Sequence, residues 1–168
     1  MVEKFNSLRL RLATPLVLLT TCLLASIPAL AGNGAHAIAG DVIELGGSRY
    51  CLFGVDAPDR GQRCALGNGK TYDCSRIATT ALMDLLAGAT VHCTPTGAKR
   101  THCEVARCAA DGFDLSGNMV HTGWALADPV EGAPYLRRQE LARSRRQGLW
   151  RGTFETPWNW RTKTKRKK

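Results

Sequence analysis

The sequence has no C-x-x-C pair, no recognisable pairing among its four histidines and no internal repeat. The first two absences take away the closely spaced ligand pattern of a structural zinc site. The third takes away repeat architectures. Length is also in short supply, since 168 residues allow one ordinary domain and hardly two. Acidic residues are outnumbered, 14 against 23 Lys+Arg, which leaves a formal charge of +9. Hydrophobic residues make up 44% and charged residues 22%, so a packed core is within reach and wholesale disorder is excluded. A coiled coil, a polytopic membrane protein and a multi-domain enzyme are excluded with it.

The first residues read as a leader. Lys4, Arg9 and Arg11 precede an uncharged run from Leu12 to Ala31 that ends in the small-x-small signal Ala29-Leu30-Ala31. Residues 1–31 are expected to be a cleaved signal peptide, with Ala35-His36-Ala37 as a second cleavage signal. Pro15 and the shortness of the run speak against a retained anchor. Cys22 sits mid-run after Thr20-Thr21, which does not suit a lipoprotein. Behind the leader, 20 Lys+Arg face 13 Asp+Glu, and six of those cations fall in the last eight residues: Arg161, Lys163, Lys165, Arg166, Lys167 and Lys168. The basicity therefore belongs to a tail, and the globular part is close to neutral. Residues 162–168 are expected to be a disordered basic tail that meets solvent, nucleic acid or another anionic surface.

Cys51, Cys64, Cys74, Cys93, Cys103 and Cys108 remain after the leader. An even number in an exported chain reads as three disulfides, in a periplasmic or secreted protein.

Local pattern supplies the elements. Ala37 to Leu45 and Ser48 to Val55 read as strands joined at Gly46-Gly47, a hairpin signal. Asp56-Ala57-Pro58 ends the second strand. Residues 61–74 read as a loop bracketed by Cys64 and Cys74. Ser75 is the expected N-cap of a helix running to Leu86, with Ile77, Ala78, Ala81, Leu82 and Leu85 on one stripe. Thr90–Thr94 and Cys103–Ala109 read as strands around a turn at 95–100. Asp114 or Ser116 caps a short helix that Gly123 ends. Pro134 opens a last helix with Tyr135, Leu136, Leu141 and Ala142 inward and Gly148 as its stop. Strand runs with helices inserted and appended read as α+β, a small barrel with helices.

The strings AIAGDVIEL (37–45), FGVDAPDRGQ (53–62) and MVHTGWAL (119–126), with GLW (148–150) and PWNWR (157–161), resemble the staphylococcal-nuclease (thermonuclease) family. The resemblance covers about residues 37–161. It implies a five-stranded OB-type barrel with three helices over residues 32–161, acting as a monomer on phosphodiester bonds of DNA and RNA with bound calcium. It places Asp41, Asp56 and the backbone carbonyl of Ala57 at the metal-ligand positions, and Asp59 at the position of the general base. Such a site needs hard oxygen donors for the ion, a carboxylate to activate water and guanidinium groups to clamp the phosphate.

The chain departs from that pattern at its cations. Both arginine positions of the family are cysteines here, Cys51 and Cys103, and neither a thiol nor a disulfide replaces a fixed cation. The family's Asp-Gly-Asp-Thr is Ala39-Gly40-Asp41-Val42, and Asp59 is one methylene shorter than the family's Glu. Losing one charged donor to the transition state typically costs about two to three powers of ten in rate. Arg49, on the strand face of Cys51, and Arg100, in the loop before Cys103, are the residues that would replace the lost arginines at the substrate. Cys64 and Cys74 bracket one loop and are expected to pair. Cys93 and Cys108 lie on the two strands of one hairpin. Cys103, five residues from Cys108, points to the other face, which leaves it for Cys51 at the second lost arginine. The reading that follows is an exported domain that binds single-stranded DNA or RNA, or another anionic ligand, with weak or absent phosphodiesterase activity. Its rivals are a working calcium-dependent nuclease and an envelope interaction module.

Overall fold

A computed structural model describes residues 33–166 of the chain. The expected leader at 1–31 and the last two tail residues lie outside the described residues.

Three short strands open the fold: β1 (His36–Ala39), β2 (Val42–Leu45) and β3 (Ser48–Leu52). The stretch 37–45, read above as one strand, is an antiparallel hairpin that turns at Gly40-Asp41 and pairs Ala39 with Val42. This turn lies against the next layer. A Cβ on Gly40 would stand 2.8 Å from the Cβ atoms of both Ala57 and Ala78, so only glycine lets the hairpin close there. The β2–β3 turn matches expectation. Gly46 and Gly47 both have positive φ, as a two-residue turn between twisted strands requires.

After β4 (Val55–Asp56), the expected loop 61–74 contains a second hairpin, β5 (Arg63–Leu66) and β6 (Thr71–Asp73). The Cys64–Cys74 disulfide ties it to α1 (Cys74–Leu86). The cap of α1 is Asp73, not Ser75: Arg76 N–H donates to Asp73 Oδ1 at 3.0 Å, and the Ser75 hydroxyl donates to the same oxygen at 2.7 Å. The helix begins one residue before Ser75, so the Ser75 hydroxyl lies inside the first turn and donates to the cap instead of forming it.

β7 (Val91–Arg100) and β8 (Cys103–Ala110) form the longest ladder. β7 runs through the expected turn at 95–100, with an irregular register between Pro95 and Lys99 where proline offers no donor. β9 (Phe113–Asp114) adds to β8, and α2 (Leu115–His121) follows with Asp114 at its cap. β10 (Leu126–Ala127) pairs with β4. A 3-10 turn at Ala133–Tyr135 leads into α3 (Leu136–Ser144). Tyr135 and Ala142 are buried as expected, but Leu136 and Leu141 are exposed, because α3 packs against α2 and β10 along one narrow edge.

The main sheet has the order β1-β2-β3-β8-β7, with β3 and β8 parallel and the other pairs antiparallel. It is a curled mixed sheet, half of a barrel, in an α+β fold with four helices among the described residues. Its core holds Ile43, Leu52, Val55, Val91, Ala106, Leu82 of α1 and Met119 of α2. A second cluster gathers the Cys64–Cys74 disulfide, Leu126 and Leu149, with Trp124, Trp150, Phe154 and Trp158 against it. That cluster receives the end of the chain. β11 (Gly152–Thr153) pairs with β5, and α4 (Pro157–Lys165) follows with Pro157 buried at its start. Residues 162–165 are therefore the last turn of a packed helix and not a disordered tail. Helix α4 is the element that a three-helix expectation leaves out.

Candidate functional site

Turns deliver the acids. Asp41 stands at the β1–β2 turn, Asp56 at the end of β4 and Asp59 in the following loop. The loop is fixed by Gln62, which is fully buried. Asp59 N–H donates to Gln62 Oε1 at 3.2 Å, and Gln62 Nε2 donates to the Glu155 carbonyl at 2.7 Å. Ala57 N–H donates to Asp41 Oδ2 at 3.3 Å, which ties the first turn to the loop. The three acids expected at the site are thus brought together.

So are the two cysteines expected in place of arginines. Cys51 and Cys103 form a disulfide with Cα atoms 5.5 Å apart across the parallel β3–β8 pair. Cys93 and Cys108 pair directly across the β7–β8 ladder. With Cys64–Cys74, all three expected bridges are present.

A groove of about 810 Å³ runs over this floor. Its walls include Asp41, Asp56, Asp59 and the Cys51–Cys103 bridge, with Arg49, Lys99, Arg100 and His102 around the rim. Arg49 and Arg100 do line it, but each is held by acids. Arg49 Nε lies 3.4 Å from Glu44, and Arg100 lies 3.7 Å from both Asp128 and Glu131.

Inspection of the sequence missed the decisive side chain. Arg161, counted above as part of the basic tail, reaches into the groove from α4. Its Nη1 donates to Asp56 Oδ1 at 3.0 Å and to Asp59 Oδ2 at 2.9 Å, and its Nη2 donates to Asp56 Oδ2. Asp56 is only 3% exposed, so this fork compensates a buried charge. The acids raise the pKa of Arg161 still further above its ordinary value. Burial, followed by the Asp56 charge, pushes Asp41 up to about 7, so it is largely a neutral acid in mildly acidic solution. Burial also raises Asp59, with Arg161 opposing.

The arrangement does not fit a calcium cage. Both oxygens of Asp56 are taken by Arg161, and an ion of this kind asks for six to eight free oxygen donors. Among the described residues, no three Asp, Glu, His or Cys side chains converge to hold a metal ion. Asp59, bonded to a guanidinium, is also not placed as a free base. All four histidines are exposed. The signal that could have found Arg161 is its place four residues after Pro157, one helical turn into a proline-initiated segment. The three disulfides fit an exported protein, and no described helix is long and apolar enough to cross a membrane.

No protein-family model matches the chain. The chain is similar to the succinoglycan biosynthesis protein ExoI of Rhizobium meliloti (strain 1021), with 34% identity over 124 residues. The match covers 72% of this chain and 65% of that protein, so the chain spans a little under two thirds of the curated relative it matches.

Proposed function

We propose that this chain is an exported, OB-type relative of the staphylococcal nucleases whose groove binds single-stranded nucleic acid, or another anionic polymer, with phosphodiesterase activity weak or lost. One observation carries the reading. The Cys51–Cys103 bridge stands where the resemblance puts both phosphate-clamping arginines, and the arginines that do line the groove, Arg49, Arg100 and Arg161, are each paired with acids of the chain. What remains suits binding better than cleavage. Arg49, Lys99, Arg100 and His102 rim an open groove, where phosphate oxygens of a flexible strand can be met without being activated. The acids at the groove centre keep Arg161 in place instead of holding water for attack.

The relative named for succinoglycan biosynthesis favours a second reading, an envelope module that takes a glycan in the same groove. One experiment separates the two. A fluorescent single-stranded oligonucleotide is titrated with the oxidised chain at about 50 and about 200 mM salt, and its length is followed with calcium and with chelator. Binding that weakens with salt, and an intact oligonucleotide under both conditions, are expected. Absence of binding at low salt would hand the groove to the glycan reading. Calcium-dependent cleavage would restore the working nuclease.

A further inference from the structure

The acids at the centre of the groove are satisfied by a cation that belongs to the chain. A buried carboxylate must be paired or neutralised, and two neighbouring carboxylates need more than a hydrogen-bonding backbone. A divalent ion meets that need with charge. Arg161 meets it with one charge and a planar fork that reaches three oxygens of Asp56 and Asp59.

Its position does not depend on the acids alone. Pro157 is buried, and Trp158 of the first turn packs on the second cluster, against Leu126, Leu149 and the Cys64–Cys74 bridge. Glu155, just before α4, is fastened twice: its carbonyl accepts from buried Gln62, and its carboxylate pairs with Lys163 at 2.6 Å. Gln62 in turn holds the backbone of Asp59. The start of α4 and the acid loop are thus parts of one fastening, and Arg161 follows one turn later.

We propose that Arg161 is the resident cation of the Asp56–Asp59 pair and that it competes with divalent cations for the same oxygens, so that the groove is closed to calcium while α4 is docked. Helix α4 thereby supplies the positive charge that a metal ion would otherwise bring to these carboxylates, and whatever the groove binds is bound without a metal. The inference concerns the acids and not the ligand, so its test uses calcium alone and stands or falls apart from oligonucleotide binding.

The test is calorimetric titration of the oxidised chain with calcium, for the wild type, Arg161→Gln and Arg161→Gln/Asp56→Asn. The wild type is expected to show no saturable binding below about 1 mM, the range in which weak extracellular calcium modules fill. Arg161→Gln uncovers the carboxylates and is expected to bind at least about tenfold more tightly than the wild type, and the double variant to lose that gain. Saturable wild-type binding below about 1 mM overturns the proposal, and so does equal behaviour of wild type and Arg161→Gln. Should Arg161→Gln fail to fold, Arg161→Lys, which keeps the charge but cannot reach three oxygens as a planar fork, takes its place: tighter calcium binding than the wild type is expected, and equal behaviour overturns the proposal.

Discussion

Asp41 shows how one residue of this groove ties function to stability. Its half-buried carboxyl lies close to Asp56 and accepts from the Ala57 amide, and desolvation, followed by the Asp56 charge, raises its pKa from 3.8 to about 7. Between those values the folded chain keeps a proton that the unfolded chain releases. The folded state therefore loses stability as pH rises from about 4 to about 7, and this contribution is fully present only below that window. The upward displacement of Asp59 has the same sign. Asp41→Asn places a neutral amide where the protonated acid stands, and is expected to flatten the fall. Urea unfolding of both proteins at about pH 5 and about pH 8 measures it. A wild-type loss between these points no larger than that of the variant would remove Asp41 as the cause. Arg161 is the counterpart at this scale: one side chain whose charge is committed to two acids more than a hundred residues earlier.

Among the elements, α4 carries consequences out of proportion to its nine residues. It closes the second cluster with Trp158 and the groove with Arg161. Deleting residues 157–168 removes both and leaves Asp56 buried without its cation. Loss of one partner from a buried pair costs about 3–5 kcal/mol, and the half-exposed guanidinium puts this case at the lower end, near about 3. Deleting only residues 166–168 should change stability by less than about 0.5 kcal/mol, as surface changes do. Equal stability of the two truncations in chemical denaturation would mean that α4 is not part of the fold. The short elements also explain why some boundaries escaped the sequence. The β1–β2 hairpin turns on Gly40 because of what lies beneath it, Ala57 and Ala78, which no local pattern reports. Strands β5 and β6 are three to four residues long, and their ladder is completed by β11 from the far end of the chain.

For the whole molecule the question is where the positive charge acts. The excess of cations over acids sits in the last eight residues, but Arg161 is spent on Asp56 and Asp59, and Lys163 on Glu155. Among the described residues the remaining end charges, Lys165 and Arg166, are exposed and have no ion-pair partner. Removing residues 166–168 takes away three cations. It is expected to lower the slope of log affinity against log salt by about 0.7 for each phosphate of the single strand that is no longer neutralised, while groove binding persists. Complete loss of oligonucleotide binding in that truncation would move the site from the groove to the tail.

Chemistry between neighbours in the chain accounts for much of this protein. The Gly46-Gly47 hairpin, the apolar stripe of α1, the α+β order and the Cys64–Cys74 and Cys93–Cys108 pairings follow from spacing, periodicity and strand faces, and Cys51–Cys103 is then left by elimination. The trio Asp41, Asp56 and Asp59 is named from the sequence only through the family resemblance of the segments 37–45 and 53–62, since the turn that carries Asp41 is not legible in the local pattern. What neutralises them emerges only in the folded chain. A charge count in the last residues cannot distinguish a solvated tail from a side chain paired across 105 positions. That pairing depends on α4 being seated by Pro157 and Trp158 against Leu126, Leu149 and a disulfide drawn from distant parts of the chain. The helix has no continuous apolar stripe to announce this, since its burial rests on few residues near its start. Desolvation of Asp56 then makes the guanidinium fork the favourable solution, and that penalty exists only once the chain is folded around it.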